Sequence, residues 1–313
     1  MKSELTKAFN LGTDFTYQLI NVSENQTFRI DCADAQKFAL RLARPGYHTA
    51  DEFASEMAWI EALQKAQTVP VAKPIRGCDG NYLQQVAAHN AFLFEWVEGS
   101  EPKITDDLMD LAEQLGGLAA LLHNHALHWQ RPLNFTRPRW DFDAALGTET
   151  RWGDWRKGLG VQRHMLPLLS RTVNEIELRL NAYGESEQRF NLIHGDLRLA
   201  NLLKHKSHIT VIDFDDCGFG WLMYDAATMI SFHEHEAQAP EMIQRWIEAY
   251  RKIRQLSHED EQAIQCLIMF RRILLLAWLG SHRDIDLARE VEGTFVDQSL
   301  SLCELFLLSG KVF

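Results

Sequence analysis

The sequence predicts an α+β protein of two lobes, a small β-rich lobe over residues 1–98 and a large helical lobe over 99–313. Three observations carry this expectation. Short runs rich in β-branched and aromatic residues crowd the first hundred positions. Apolar residues recur at helical spacing beyond Gly99. Between 190 and 216, acids and an amide sit between two short apolar runs, where strand ends and a loop bring side chains together.

In chain order, Phe15–Asn21, Gln26–Asp31 and Lys37–Leu42 predict three consecutive strands. A helix follows from Thr49 to Gln67, with Pro70 and Pro74 as its stop signal. Tyr82–Val86 and Ala91–Trp96 predict two more strands, and the join between lobes falls near Glu95–Gly99. The first helix of the large lobe is expected over Asp106–His125 behind a Thr105 cap. Later helices are expected near 155–183, 225–253, 258–280 and 286–308, with strands at Phe190–Ile193 and Ile209–Phe214.

Composition narrows the function classes. Hydrophobic residues make up 46% and charged residues 24%, which is ordinary globular usage for a chain of 313 residues. A formal charge of −11 argues against a nucleic-acid partner. The five cysteines show neither CxxC nor metal-site spacing, so reduced thiols in the cytoplasm are expected. Met1–Asn10 has no apolar targeting core, and Arg271-Arg272 divide the most apolar stretch, Ala263–Gly280, into runs too short for a bilayer. That stretch reads as a buried helix, and no membrane partner is expected.

His194-Gly195-Asp196-Leu197-Arg198-Leu199-Ala200-Asn201 and Ile212-Asp213-Phe214-Asp215-Asp216 have the arrangement that phosphoryl transfer asks for. The transferred group keeps its negative charge through a loose transition state, so the protein contributes mainly position and charge compensation. Asp196 is the candidate to orient an attacking hydroxyl. Asn201 and Asp213 offer the hard oxygen donors that Mg²⁺ prefers. Along an extended Asp213–Asp215 segment both carboxylates would share a face, so that Asp215 also approaches the metal. His194 reads as a loop brace.

His194–Asn201 with Asp213 resembles the catalytic and metal-binding loops of the aminoglycoside phosphotransferase and choline kinase superfamily. The run Ile212–Ala227 looks most like the stress response kinase A group of bacterial Ser/Thr kinases, with type II homoserine kinases as near relatives. The resemblance implies a bilobal, protein-kinase-like fold. It implies ATP and Mg²⁺ as cofactors, and transfer of the γ-phosphate to a hydroxyl of a small metabolite or of a protein Ser/Thr. By the same resemblance Asp196 is the catalytic base, Asn201 and Asp213 hold the metal, and Asp225 buttresses the catalytic loop.

The resemblance also assigns a nucleotide grip. The segment Phe92–Gly99 matches the adenine-binding hinge, with backbone groups around Glu95 and Val97 as the pairing atoms. Arg41 stands where such folds carry a lysine that contacts the α/β-phosphates, and Glu56 is its expected helix partner. A guanidinium is bulkier and differently directed than an ammonium. Arg41 therefore leaves two readings open, an altered but working ATP grip or a nucleotide-binding regulatory pseudokinase. The phosphate-covering loop falls at Val22–Thr27, where Ser23, Asn25 and Thr27 replace the usual glycines.

The segment Trp129–Trp155 concentrates four tryptophans with Arg131, Arg137 and Arg139 where relatives build their acceptor wall. Stacking on an acceptor and packing onto the lobe are both compatible with that composition. The histidines at 123, 125 and 128 and at 233 and 235 lack a convincing metal spacing.

Overall fold

Antiparallel hairpins dominate the first third of the chain. The computed structural model describes residues 1–22, 24–103, 108–148 and 150–313. A helix α1 (Lys2–Phe9) precedes strands β1 (Phe15–Val22), β2 (Gln26–Cys32) and β3 (Lys37–Leu42). Then come α2 (Ala50–Ala66), β4 (Pro74–Ile75), β5 (Gln84–Val86) and β6 (His89–Glu95). The strands form one six-stranded sheet in the order β1-β2-β3-β6-β4, with β5 also paired to β6. Leu5 and Phe9, one helical turn apart on α1, join Phe15, Ile30, Leu40, Leu42 and Leu93 in its core.

Helix α2 begins at a capping box, in which the Thr49 side chain accepts from Glu52 N and the Glu52 carboxylate accepts from Thr49 N. It ends at Gln67 in the left-handed conformation, before the prolines that were expected to stop it. Expected strand boundaries agree with the sheet to within two residues at most ends. Helix α1 and strand β4 were not anticipated.

The next elements are α3 (Leu108–His128), α4 (Phe142–Leu146), α5 (Leu166–Tyr183) and β7 (Phe190–Ile193), followed by a hairpin of β8 (Leu202–His205) and β9 (His208–Val211). The chain closes with β10 (Gly218–Trp221), α6 (Tyr224–Met229), α7 (Ala239–Arg251), α8 (His258–Ser281), α9 (Asp286–Val291) and α10 (Phe295–Ser309). Thr105 and Asp106, the expected cap and first residue of α3, lie outside the described residues. Three of the long helices expected here are broken. The 155–183 stretch begins as a single 3₁₀ turn at Trp155–Lys157 before α5, the 225–253 stretch is interrupted between α6 and α7, and Gly293 separates α9 from α10.

Two compact units result. One comprises Met1–Glu101, Trp129–Arg137 and Leu202–Asp215; the other comprises Pro102–His128, Pro138–Asn201 and Asp216–Phe313. In the first, bridges from Val71 to Val211 and from Ser100 to Lys204 tie the β8–β9 hairpin to the sheet-bearing segment. In the second, α3 lies on α7 so closely that a Cβ at Gly116 would stand 2.2 Å from Trp246 O. Helix α8 is long and apolar enough to cross a membrane, yet 89% of its apolar window is buried in the protein. It packs against α5, α6 and α10, as a core helix does.

Candidate active site

The loop expected to be catalytic, His194–Asn201, lies in the second unit. Strands β7 and β10 pair antiparallel, and the chain leaves β7 at His194. Asp225, fully buried in the first turn of α6, accepts from His194 N at 3.1 Å and Gly195 N at 2.8 Å. Its Oδ2 also lies 3.1 Å from Nε2 of the buried His123, whose Nδ1 meets the Tyr250 hydroxyl at 2.9 Å. Gly195 has φ +79° and a Cβ there would stand 2.7 Å from Asp216 O, so glycine is required. His194 Nδ1 accepts from Asp196 N at 3.3 Å, and Thr228 Oγ1 from Leu197 N at 3.0 Å. The loop backbone is therefore held at four successive amides.

The Asp196 carboxylate is buried and surrounded by donors. Asn201 Nδ2 donates to its Oδ2 at 2.7 Å and to its backbone carbonyl at 2.8 Å. Arg198 Nε donates to Oδ2 at 2.9 Å, and Arg271 Nη2 to Oδ1 at 2.5 Å. Burial pushes this carboxyl up, but the guanidiniums of Arg198 and Arg271 outweigh it and bring it down to about 2. Because Asn201 uses its NH₂ on Asp196, its amide oxygen is the atom left for a metal.

The residues expected to grip a nucleotide, Arg41 and Glu56, lie in the first unit. Arg41 on β3 and Glu56 on α2 are both buried and form a two-pronged pair, Nη2 to Oε2 at 2.8 Å and Nη1 to Oε1 at 2.7 Å. The Arg41 guanidinium also lies over the rings of Phe92 and Phe94. Its Nη1 stands 3.6 Å from Asp213 Oδ1 and 3.8 Å from Asp215 Oδ1. The two acids come together by a turn and not by strand alternation. β9 ends at Val211, and Asp213 adopts φ 59°, so the segment is not extended. Asp213 is left half-exposed, its side chain 40% accessible, while Asp215 is buried.

The Asp213–Asp215 segment is anchored to α2. Trp59 meets Phe214 edge-on with centroids 5.3 Å apart. Arg137 donates to Glu52 O at 2.9 Å, and also to the carbonyls of Phe214 and Asp215. His48 has Nδ1 3.3 Å from Glu52 Oε2 and Nε2 3.5 Å from Asp215 Oδ1. Burial alone would raise the Asp215 carboxyl; Arg41, His48 and Arg137 hold it below its ordinary range.

The remaining expected positions fall out as follows. Glu95 ends β6, its N–H donating to Lys73 O at 2.8 Å and its carboxylate pairing with Lys73 Nζ at 2.5 Å. Val97 follows as half-buried non-strand backbone. In the phosphate-covering loop, Ser23 lies outside the described residues, and the Asn25 side-chain oxygen is committed to Arg44 N at 3.0 Å. Asn25 thus braces the β1–β2 turn. Trp140, Trp152 and Trp155 are buried. Trp140 packs edge-on against Trp152 at 5.1 Å and donates to Asp216 O at 2.8 Å, which supports the packing reading of this tryptophan over stacking on an acceptor.

Sequence reasoning passed over His48, counted Arg137 only among the arginines of the 129–155 segment, and read Arg271 only as a break in an apolar run. Arg271 had a legible signal, since a charge inside an otherwise apolar helix must find a partner.

Comparison with known proteins identifies the family and the fold. The family model described as phosphotransferase enzyme family, APH, matches residues 16–264. A solved microcompartment-associated aminopropanol kinase is 36% identical, covers 100% of this chain and 98% of its own, and superposes with a TM-score of 0.91. Amicoumacin kinase hAmiN, solved with AMP-PNP, Ca²⁺ and Ami, is 18% identical over 96% of this chain and 92% of its own, with a TM-score of 0.76. Stress response kinase A of Shigella flexneri is 22% identical over 263 residues, 84% of this chain and 76% of the relative. The antiparallel sheet lobe and the helical lobe are those of a kinase-like phosphotransferase, and the chain belongs to the phosphotransferase enzyme family.

Proposed function

We propose that this protein transfers the γ-phosphate of ATP, with Mg²⁺, to the hydroxyl of a small amino alcohol. The observation that carries the acceptor class is the full-length likeness, at 36% identity, to a protein described as an aminopropanol kinase. The chain's charge of −11 is compatible with a small cationic acceptor.

In this reading residues 1–98 grip the nucleotide and 99–313 supply catalysis and the acceptor pocket. Backbone atoms around Glu95 and Val97 pair with adenine. Arg41, steadied by Glu56, neutralises phosphate charge. The buried pair between them supports a working grip over a regulator that has lost transfer. Asn201, through its amide oxygen, and Asp213, through its half-exposed carboxylate, are the oxygen ligands for the metal, a donor set that suits Mg²⁺. When bound, Mg²⁺ supplies charge compensation for the phosphates.

Asp196 accepts the hydrogen bond of the acceptor hydroxyl and aims it. Held ionised by two guanidiniums, it is a weak base, so its contribution is chiefly orientation, with the proton leaving late in the transfer. Arg198 stands against the same carboxylate and balances its charge.

The test is a competition among acceptors. The full chain is incubated with labelled ATP, Mg²⁺ and 1-amino-2-propanol, ethanolamine, choline, homoserine, an aminoglycoside or a Ser/Thr-containing protein mixture. Label moving most efficiently to the amino alcohols supports the proposal. Label entering protein alone establishes a Ser/Thr kinase, and ATP binding without transfer establishes a regulator.

A further inference from the structure

Helix α8 buries two consecutive arginines, and they do different things. Arg272 is fixed inside the helical core, with Nη1 to Glu234 Oε2 at 2.5 Å, Nε to Ser299 Oγ at 2.7 Å and Nη2 to Phe295 O at 3.0 Å. Glu234 is itself buried, so this is a closed internal ion pair. Arg271 is equally buried, with Nε donating to Ser231 Oγ at 3.1 Å and Nη1 to the Tyr224 hydroxyl at 3.0 Å. Those two bonds fix the plane of the guanidinium, and the third nitrogen, Nη2, is thereby aimed at Asp196 Oδ1. Its counter-charge is the carboxylate that the reaction uses.

A carboxylate has about four lone-pair positions. On Asp196 the Arg198 and Asn201 donors both fall on Oδ2, whereas Oδ1 carries Arg271. Among the described residues one position is left, on Oδ1, and its direction is set by where Arg271 holds that oxygen. We propose that Arg271 is a positioning residue for phosphate transfer, fixing Asp196 so that the remaining lone pair of Oδ1 receives the acceptor hydroxyl. A planar, three-point-anchored guanidinium does this better than an ammonium on a flexible stem.

The inference rests on Asp196 as the group that aims the acceptor, and a double-mutant cycle separates the two claims. Arg271→Met and Arg271→Lys are made in the parent and in an Asp196→Asn background, with Arg272→Lys as the neighbouring control. Turnover with 1-amino-2-propanol, KM for ATP and calorimetric binding of Mg·ATP are measured.

Arg271→Met is expected to lower kcat roughly 10²-fold, the scale of a misaligned reacting group, while Mg·ATP binding stays within about twofold. Arg271→Lys recovers part of the loss, and Arg272→Lys leaves kcat in place. In the Asp196→Asn background, Arg271→Met adds nothing further to the fall in kcat. An unchanged kcat, a loss that persists in full without Asp196, or an equal loss of Mg·ATP binding overturns the inference. If Arg271→Met does not fold, Arg271→Lys decides by the same criteria. A parent protein with no turnover overturns the functional reading and this inference with it, whereas turnover insensitive to Arg271 overturns the inference alone.

Discussion

Replacing Arg41 by Met tests the proposed nucleotide grip through stability and activity together. Glu56 is fully buried and both its oxygens face Arg41, so the substitution leaves a carboxylate inside the fold without its counter-charge. Breaking one side of a buried pair costs about 3–5 kcal/mol. For a chain of 313 residues that corresponds to roughly 5–8 °C in Tm. Asp215 loses one of its charge partners as well, which places the cost toward the upper end. The double variant Arg41→Met/Glu56→Met removes both charges and leaves two apolar side chains, and is expected to regain most of the lost stability. It is not expected to regain activity. With the phosphate contact gone, KM for ATP should rise about 10- to 100-fold in both variants, the worth of a hydrogen bond to a charged group, with Arg41→Lys intermediate. Thermal melts and steady-state kinetics on the parent, Arg41→Met, the double variant and Arg41→Lys read both effects. A double variant no more stable than Arg41→Met, or a KM unchanged by removal of the guanidinium, would refute the reasoning.

Two further expectations concern the other half of the site. Asp196→Asn should lose roughly 10²–10⁴-fold in turnover yet bind Mg·ATP normally, whereas Asp213→Ala should lose nucleotide affinity too; equal binding defects in calorimetry contradict that division. Trp140→Ala should cost about 3–5 kcal/mol, because it empties a buried site and removes the indole hydrogen bond to Asp216 O. Activity per folded molecule should fall no more than stability explains, and a selective loss of transfer with an unchanged melt would return Trp140 to the acceptor wall.

Much of this protein was legible in its sequence, and the reasons are local. The sheet strands announce themselves because β-branched and aromatic runs are bounded by turns, and α2 because Thr49 and Glu52 sit three apart before an apolar face. The pairing of Arg41 with Glu56 was reached through family resemblance, and the structure brings the two together. What escaped was non-local. Helix α1 has only eight residues, and its apolar positions make sense only against a sheet not yet folded. Asp213 was placed on an extended strand because β propensity runs through Phe214; the backbone turns left-handed there so that Arg41 meets two acids at once. The tryptophans of 129–155 carry the same composition whether they stack on a ligand or fill a core, and burial alone separates the two. Arg271 comes 75 residues after Asp196, a pairing that no local pattern records.

The most direct test of the account is phosphate transfer itself. The full chain, supplied with γ-labelled ATP and 1-amino-2-propanol, is expected to form ADP and an O-phosphorylated amino alcohol in equal amounts. Chelating the divalent metal should stop the reaction, and Asp196→Asn should slow it by at least about 10²-fold. ATP consumed without a phosphorylated acceptor, or transfer indifferent to Asp196, would contradict it.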